Sequence, residues 1–169
     1  NPMTRHVHPV IRQGAPLDAA TVRQVLAGPV QPDLGKAVLG QVAAGRAVLE
    51  QAMAAGQPIY GATTGVGAMK HTEHHGSAIA AFNAGLALAH QIAVGEEIAP
   101  GVVRLMLALR LNTLATGRVG VTPAFVQMLV AMLRADLLPV VQARGSVGCG
   151  DLGQMGQLAA VMAGQGMAR

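Results

Sequence analysis

Apolar residues recur at helical spacing in several long segments of this chain, and each segment is interrupted by glycine or proline. Near the start, Ala19, Val22 and Val25 fall on one face of a helix. Asp18 is placed to cap this helix and Gly28 to end it. No segment of useful length alternates apolar and polar residues as a half-buried strand does. The pattern predicts an all-α fold with buried central helices.

The same spacing predicts five further helices. They cover residues 33–56, 77–95, 102–117, 123–136 and 152–166. Thr122 and Asp151 are placed to cap the last two, and Pro123 occupies a favourable first helical position. The helix from Ser77 is apolar on nearly every side, which is typical of a helix buried inside a bundle.

A glycine-rich stretch, "QPIYGATTGVGAMKHTEHHG", separates two of these helices. It covers residues 57–76, and its Pro58 and repeated glycines exclude a regular helix. Long loops inside compact domains are often functional, so the single tyrosine of the chain, Tyr60, is a candidate site residue. A phenol at this position either acts as a base or packs at the start of the loop with its hydroxyl hydrogen-bonded. The residues alone favour packing.

Histidines supply the other candidates for chemistry. His71, Glu73, His74 and His75 match neither a helical zinc motif nor a zinc-finger spacing, so we expect a solvated polar loop and no metal. His90 lies in a very apolar segment, where a histidine is either a satisfied core residue or an imidazole that faces a cavity.

Two arginines of the next helix, Arg104 and Arg110, fit a solvated or paired face better than a clamp for a carboxylate.

Composition excludes several classes of function. Of the 169 residues 51% are hydrophobic, yet no apolar run approaches the roughly 18 residues of a membrane span. The net charge of +4 comes from scattered residues, and aromatic residues are 2% of the chain, which argues against nucleic-acid binding. The first fourteen residues lack the features of a secretory signal, and a single cysteine favours a reducing, cytoplasmic setting. Charged residues are too few to cover the surface, so we expect either that subunits associate or that the chain is part of something larger.

That cysteine lies in "GSVGCGDLGQ", residues 145–154, just before a predicted helix. Three interpretations stay open. Cys149 is activated by the positive end of the helix dipole, or it is an inert buried residue, or it takes part in backbone chemistry. In the third case the amide nitrogen of Gly150 attacks the carbonyl of Gly148, and loss of water and of the cysteine sulfur leaves an electrophilic five-membered ring.

Five separated blocks of the sequence resemble the aromatic amino-acid ammonia-lyases and aminomutases, and histidine ammonia-lyases among them. The blocks are "PIYGATTGVG", "LALAHQIAVGE", "VRLMLALRLNTLATGRVGVTP", "LLPVVQARGSVG" and "GDLGQMGQLAAVMAGQG", in the order and with the gaps of that family. The resemblance implies the N-terminal region of an ammonia-lyase-like helical bundle with a glycine-rich active-site loop. It also implies a small amino-acid substrate and a homotetramer.

The resemblance assigns roles to particular residues. It implies that Gly148, Cys149 and Gly150 form a methylidene-imidazolone, with cysteine in place of the serine of the family's Ala-Ser-Gly. It implies that Tyr60 abstracts the β-proton of the substrate, and that His90 lies beside the substrate ring. The implied reaction is elimination of ammonia from an aromatic L-amino acid, with L-histidine giving urocanate as the best match.

The sequence also departs from the family pattern. "GSVGCGDL" is one residue shorter than "GSVGASGDL", Thr63 and Val66 stand where the tyrosine motif has Asn and Phe, and "GQMGQ" replaces "APLAH". Family members are several hundred residues longer, so we expect residues 1–169 to be a single N-terminal helical domain, as a fragment or split subunit of a longer lyase. The alternatives are a divergent non-catalytic module that assembles with a larger subunit, and an enzyme that depends on the Cys149 thiol.

Overall fold

The computed structural model describes residues 10–12 and 14–169. The elements in chain order are β1 (Val10–Arg12), α1 (Ala19–Ala27), β2 (Gln31–Asp33), α2 (Val38–Ala54), a 3₁₀ turn (Gly67–Met69), α3 (Ser77–Ala89), β3 (Val94–Glu97), α4 (Pro100–Leu114), α5 (Pro123–Ala135), β4 (Gln142–Arg144) and α6 (Leu152–Met162). The prediction of an all-α fold is confirmed, since each strand in this part of the chain has only three or four residues.

The contacts divide the chain into two compact units. The first holds the described residues up to Arg46, residues 99–138 and Arg169, and the second holds Ala47–Ile98 and Pro139–Ala168.

The first unit is built around α4 and α5, which pack on each other, while α1 packs on α4. Its core is aliphatic. Fully buried side chains include Val25, Val103, Leu107, Leu111, Val126, Leu129 and Leu133. Strands β1 and β2 pair in parallel beside this core. Gly101 lets α4 approach the end of α1, because a β-carbon on it would lie 3.3 Å from the carbonyl carbon of Leu26.

An ion pair between a buried arginine and a partly exposed aspartate ties three segments of the first unit together. Arg104 in α4 donates from Nε and Nη2 to the two carboxylate oxygens of Asp136, at 2.6 and 2.9 Å. Its Nη1 donates to the carbonyl of Val25 at 3.1 Å. Arg104 is therefore paired, as predicted, and its role in this unit is structural.

The second unit packs α3 on α6 and pairs β3 with β4 in antiparallel register. A glutamine of α6 joins the helix pair to the strand pair. Gln157 in α6 donates to the carbonyl of Ala93 at 3.1 Å and accepts from the backbone N–H of Gln142 at 2.8 Å. Small residues also bring α6 close to the turn after α3, and Gly153 and Gly156 are both buried. Backbone contact at these glycines adds to the packing of buried aliphatic side chains such as Val141 and Leu158 in this unit.

Several expectations from the sequence need correction. Helix α2 begins at Val38 and not near residue 33, because Asp33 belongs to β2. Helix α3 ends at Ala89, because the residues after it pair in β3 with β4. The prediction that α3 is buried is also wrong within the described residues. None of its side chains is buried, although the helix packs on α6.

Within the described residues, every helix is too short or too polar to cross a lipid bilayer. The prediction that the first fourteen residues carry no secretory signal falls mostly on residues 1–9 and 13, which lie outside the described residues.

Candidate active site

The second unit contains a cavity of about 320 Å³ between the glycine-rich loop, α3 and α6. It is lined by Tyr60, Val66, Asn83, Leu86, Ala87, His90, Leu152, Met155, Gly156 and Ala159. The lining residues of α3 are spaced by three, four and seven positions, and those of α6 have the same spacing. Such spacing places each set on one helix face. Two helix faces and one loop therefore form the walls of this open cavity.

Tyr60 projects from a tight turn at the start of the loop. The backbone N–H groups of Ala62 and Thr63 both donate to the carbonyl of Ile59, at 3.0 and 2.9 Å. The phenolic oxygen of Tyr60 accepts a hydrogen bond from the backbone N–H of Gly67 at 3.0 Å. Tyr60 stays 65% exposed. Its side chain is thus accessible to a molecule in the cavity.

Thr63 and Val66 have different roles in this loop. Thr63 is buried, and its hydroxyl accepts from the N–H of Ile59 at 2.8 Å, which closes the turn that carries Tyr60. Val66 instead lines the cavity. The residue that replaces the family's Asn is therefore part of the turn, and the one that replaces Phe is part of the cavity wall.

His90 caps the C-terminal end of α3. Its Nδ1 lies 2.7 Å from the carbonyl oxygen of Leu86. Because a carbonyl oxygen only accepts, we assign the proton of the neutral ring to Nδ1. The other nitrogen, Nε2, is then an acceptor. The interpretation of His90 as an imidazole that faces a cavity agrees with this position.

The segment before α6 combines an exposed thiol with an unusual backbone. Cys149 is exposed, so the interpretation as an inert buried residue is wrong. Gly148 and Gly150 have φ of +73° and +68°, in the left-handed region that glycine tolerates. A β-carbon on Gly148 would meet no atom within 4 Å. Glycine on each side of Cys149 gives this backbone the conformational freedom that the compressed turn of the predicted ring requires.

Asp151 does not cap α6 with its side chain, contrary to prediction. Its φ is +47°, and its carboxylate accepts a hydrogen bond from the hydroxyl of Ser146 instead. The Ser146 oxygen in turn accepts from the N–H of Gly148 at 3.1 Å. The two polar residues close the loop around Cys149 and fix its ends.

The structure brings some of the predicted site residues together. Tyr60 and His90 line the same cavity. Gly148, Cys149 and Gly150 are not among its lining residues, although the loop that holds them leads directly to Leu152, which is. Tyr60 and His90 thus face the same cavity. The loop that holds Cys149 precedes α6, which forms one wall of that cavity.

Sequence reasoning missed Asn83, Met155 and Gly156 as parts of this site. A signal for Asn83 was present, because it precedes His90 by seven positions in an otherwise apolar helix. Gly156 gave a weaker signal, through its spacing of three from Gly153 within α6.

The histidine loop has a different arrangement. The ring of His74 stacks on Phe82 with centroids 4.2 Å apart, and His75 lies 3.6 Å from a carboxylate oxygen of Glu73. In the part of the chain that the structure describes, no three His, Cys, Asp or Glu side chains are grouped to hold a metal ion.

Comparisons with known proteins point to one family. Residues 17–169 match the sequence profile described as "Aromatic amino acid lyase". Histidine ammonia-lyase of Paracidovorax citrulli is 36% identical over 151 residues, which cover 89% of this chain and 30% of that protein.

Solved structures agree with this match. Tyrosine aminomutase from Streptomyces globisporus matches with a TM-score of 0.88 at 29% identity, over 95% of this chain and 30% of that one. Histidine ammonia-lyase from Trypanosoma cruzi matches with a TM-score of 0.82 at 28% identity, over 95% of this chain and 31% of that one. The chain thus spans about 30% of the length of these relatives.

Proposed function

Because the chain belongs to the aromatic amino acid lyase family, we propose that it carries part of the active site of a carbon–nitrogen lyase that releases ammonia from an aromatic L-amino acid. L-Histidine, converted to urocanate, is the proposed substrate. One observation supports this proposal above the others. Tyr60 and His90 line one cavity, at the helix that follows the Gly148–Gly150 segment.

The proposed reaction breaks two bonds of the substrate and forms one. A methylidene-imidazolone at residues 148–150 supplies, once formed, an electrophile that withdraws electrons from the amino group. Tyr60, as its phenolate, takes the proton from the β-carbon and becomes the neutral phenol, within hydrogen-bond reach of the substrate. The electron pair of that C–H bond becomes the new carbon–carbon double bond, and the protonated amino group leaves with its bonding pair as neutral ammonia.

Substrate choice rests on His90 and on the cavity wall. With its proton on Nδ1, His90 presents Nε2 as an acceptor for the ring N–H of a substrate imidazole. The rest of the wall is mainly apolar, from Val66, Leu86, Leu152 and Met155, which suits a flat ring. The substrate carboxylate needs a cationic partner, and we propose that further sequence or a partner chain supplies it, as in a homotetramer of the complete lyase.

Two observations favour a second function. The cysteine segment is one residue shorter than the family motif, and none of the largely apolar side chains of α3 is buried. If the ring does not form, the chain is a non-catalytic helical module that assembles with a larger lyase-like subunit. A thiol-dependent enzyme is the remaining possibility, because Cys149 is exposed.

Intact mass separates these functions. Ring formation removes one water and one hydrogen sulfide from the chain, and it adds absorbance in the near ultraviolet. Cys149→Ser keeps a leaving group and should lose two waters, so that it reaches the same final mass as the parent chain. Cys149→Ala has no leaving group and cannot form the methylidene.

The expected result is a parent chain and a Cys149→Ser variant of equal mass. Once the chain is assembled with the sequence that completes the site, ammonia should be released from L-histidine faster than from L-tyrosine. A parent chain of full mass whose Cys149 reacts with a thiol label rejects the lyase proposal. In that case, loss of any activity on labelling supports a thiol enzyme, and no activity supports the helical module.

A further inference from the structure

Asn83 is an unusual residue for the helix that holds it. Helix α3 has the sequence "SAIAAFNAGLALA", and Asn83 is the one polar side chain after Ser77. Asparagine is among the weaker helix formers, so helix stability does not explain its presence. The explanation has to come from what its side chain contacts.

The side chain of Asn83 contacts the turn that carries Tyr60. Its Nδ2 donates a hydrogen bond to the carbonyl oxygen of Ala62 at 3.3 Å. The backbone N–H groups of this turn point inward to Ile59, so the carbonyl of Ala62 is available to an outside donor. The bond joins α3 to a residue only two positions after Tyr60.

Asn83 also shares a helix face with His90, which lies seven positions later. Both residues line the cavity of about 320 Å³ that contains Tyr60. A helix is rigid over two turns, so the bond at Asn83 links the turn of Tyr60 to the segment that carries His90. The N–H of His74 donates to the carbonyl of Thr63 at 2.7 Å and ties this turn to the far side of the loop, while Asn83 ties it to α3.

We propose that Asn83 is a positioning residue that holds the Tyr60 turn against α3 and so sets the place of the phenol relative to His90. Its role for catalysis rests on the proposed function. The effect of Asn83 on the position of Tyr60 does not depend on the proposed function, and the fluorescence of this chain gives a direct way to observe that effect.

Tyr60 is the single tyrosine, and the chain has no tryptophan. Intrinsic fluorescence of the purified chain therefore reports on Tyr60 alone, and time-resolved anisotropy measures the local motion of its ring. Asn83→Ala removes the donor. Asn83→Asp keeps the size of the side chain but places an oxygen against the carbonyl of Ala62. Gln91→Ala, at an exposed residue just past α3, is the matched control for loss of a carboxamide.

We expect both Asn83 variants to increase the population of the released turn roughly five-fold, the factor that one ordinary hydrogen bond is worth. This rise appears as a larger fast component in the anisotropy decay. Gln91→Ala should match the parent chain. Unchanged anisotropy in both Asn83 variants, with circular dichroism intact, overturns the proposal. Loss of helical signal in both also overturns it, because Asn83 would then support the fold of α3.

Kinetics add a second readout in an active lyase. Asn83→Asp should lower kcat roughly ten-fold to a hundred-fold, since misplacement of a catalytic group slows the chemical step, while KM changes little. An equal loss through KM alone contradicts a positioning role. A change in anisotropy without any release of ammonia rejects the proposed function and leaves the inference about Asn83 standing.

Discussion

Gly156 of α6 lies against the carbonyl group of His90 at the end of α3. A β-carbon built on Gly156 would stand 2.6 Å from the carbonyl carbon of His90 and 3.1 Å from the backbone nitrogen of Gln91. Both neighbours are backbone atoms, which cannot rotate away as a side chain can. The close approach of α3 and α6, and with it the position of His90, therefore depends on glycine at this residue.

Gly156→Ala should consequently separate the two helices and displace His90. We expect a loss of about 1–3 kcal/mol in the free energy of unfolding, the usual cost of overpacking. Urea denaturation followed by circular dichroism measures it. Gly85→Ala is the matched control in α3, where an added β-carbon meets nothing within 4 Å. That variant should gain stability, about 0.4–1 kcal/mol. Equal effects of the two substitutions would contradict the proposed contact.

Local signals in the sequence predicted the helices well. Asp18 and Thr122 cap α1 and α5 as expected, because each cap is a hydrogen bond to a backbone N–H three residues ahead. Asp151 had the same local signal and fails as a cap. Its carboxylate binds Ser146 instead, in a loop whose shape depends on residues before the helix. A helix cap can be predicted from local sequence only when no other hydrogen-bond donor takes the capping side chain.

Contacts between distant residues were beyond local reasoning. The end of α3 at Ala89 depends on the pairing of β3 with β4, which joins residues about fifty positions apart. The shared cavity of Tyr60 and His90 depends on the same kind of contact. The resemblance to the lyase family suggested both residues, but the chain's own pattern gave no reason to place them together. Asn83, which joins their two elements, matched no motif and was missed.

Arg104 provides a prediction for the first unit. Its guanidinium is buried and serves both Asp136 and the carbonyl of Val25. Arg104→Met fills much of the volume but leaves a carboxylate and a carbonyl without their partner. We expect a loss of about 1–3 kcal/mol in the free energy of unfolding, the usual cost of leaving a hydrogen-bonded group without its partner, because Asp136 stays partly exposed to water. Urea denaturation measures the change.

Arg104→Lys tests whether charge or geometry matters at this pair. An ammonium keeps the charge but cannot form the two-pronged contact with Asp136. We expect a loss smaller than that of Arg104→Met and clearly above zero. A lysine variant as stable as the parent chain would show that the bidentate geometry of the hydrogen bonds contributes little to stability.

Asp18 makes the stability of α1 depend on pH. The backbone N–H of Thr21, followed by the Thr21 hydroxyl, holds the pKa of Asp18 below its usual value. A carboxylate whose pKa is lower in the folded state stabilises the fold above its unfolded pKa, and this contribution is lost as the pH falls through the folded value. Asp18 should therefore stabilise α1 at neutral pH, and less so as the pH falls below about 4.

Two substitutions of Asp18 separate the cap from the charge. Asp18→Asn keeps an oxygen acceptor for the Thr21 N–H but does not titrate. The free energy of unfolding of this variant should therefore fall less than that of the parent chain as the pH is lowered into the acid range. Asp18→Ala should be less stable than Asp18→Asn at every pH. Identical pH profiles for the parent chain and Asp18→Asn would show that the carboxylate charge adds nothing to the cap.

Tyr60→Phe separates the proposed base from the proposed electrophile. The substitution keeps the ring in the cavity wall and removes the oxygen that would take the substrate proton. For the lyase proposed above, we expect kcat for ammonia release to fall about 10²–10⁴-fold, the contribution typical of a general base. The loss of mass at residues 148–150 should be unchanged, because Tyr60 supplies none of the bonds of the ring. Ammonia release at near the parent rate would exclude Tyr60 as the base. A full mass in Tyr60→Phe would instead show that the phenol takes part in forming the electrophile, so mass and rate measured on one sample assign the role of this residue.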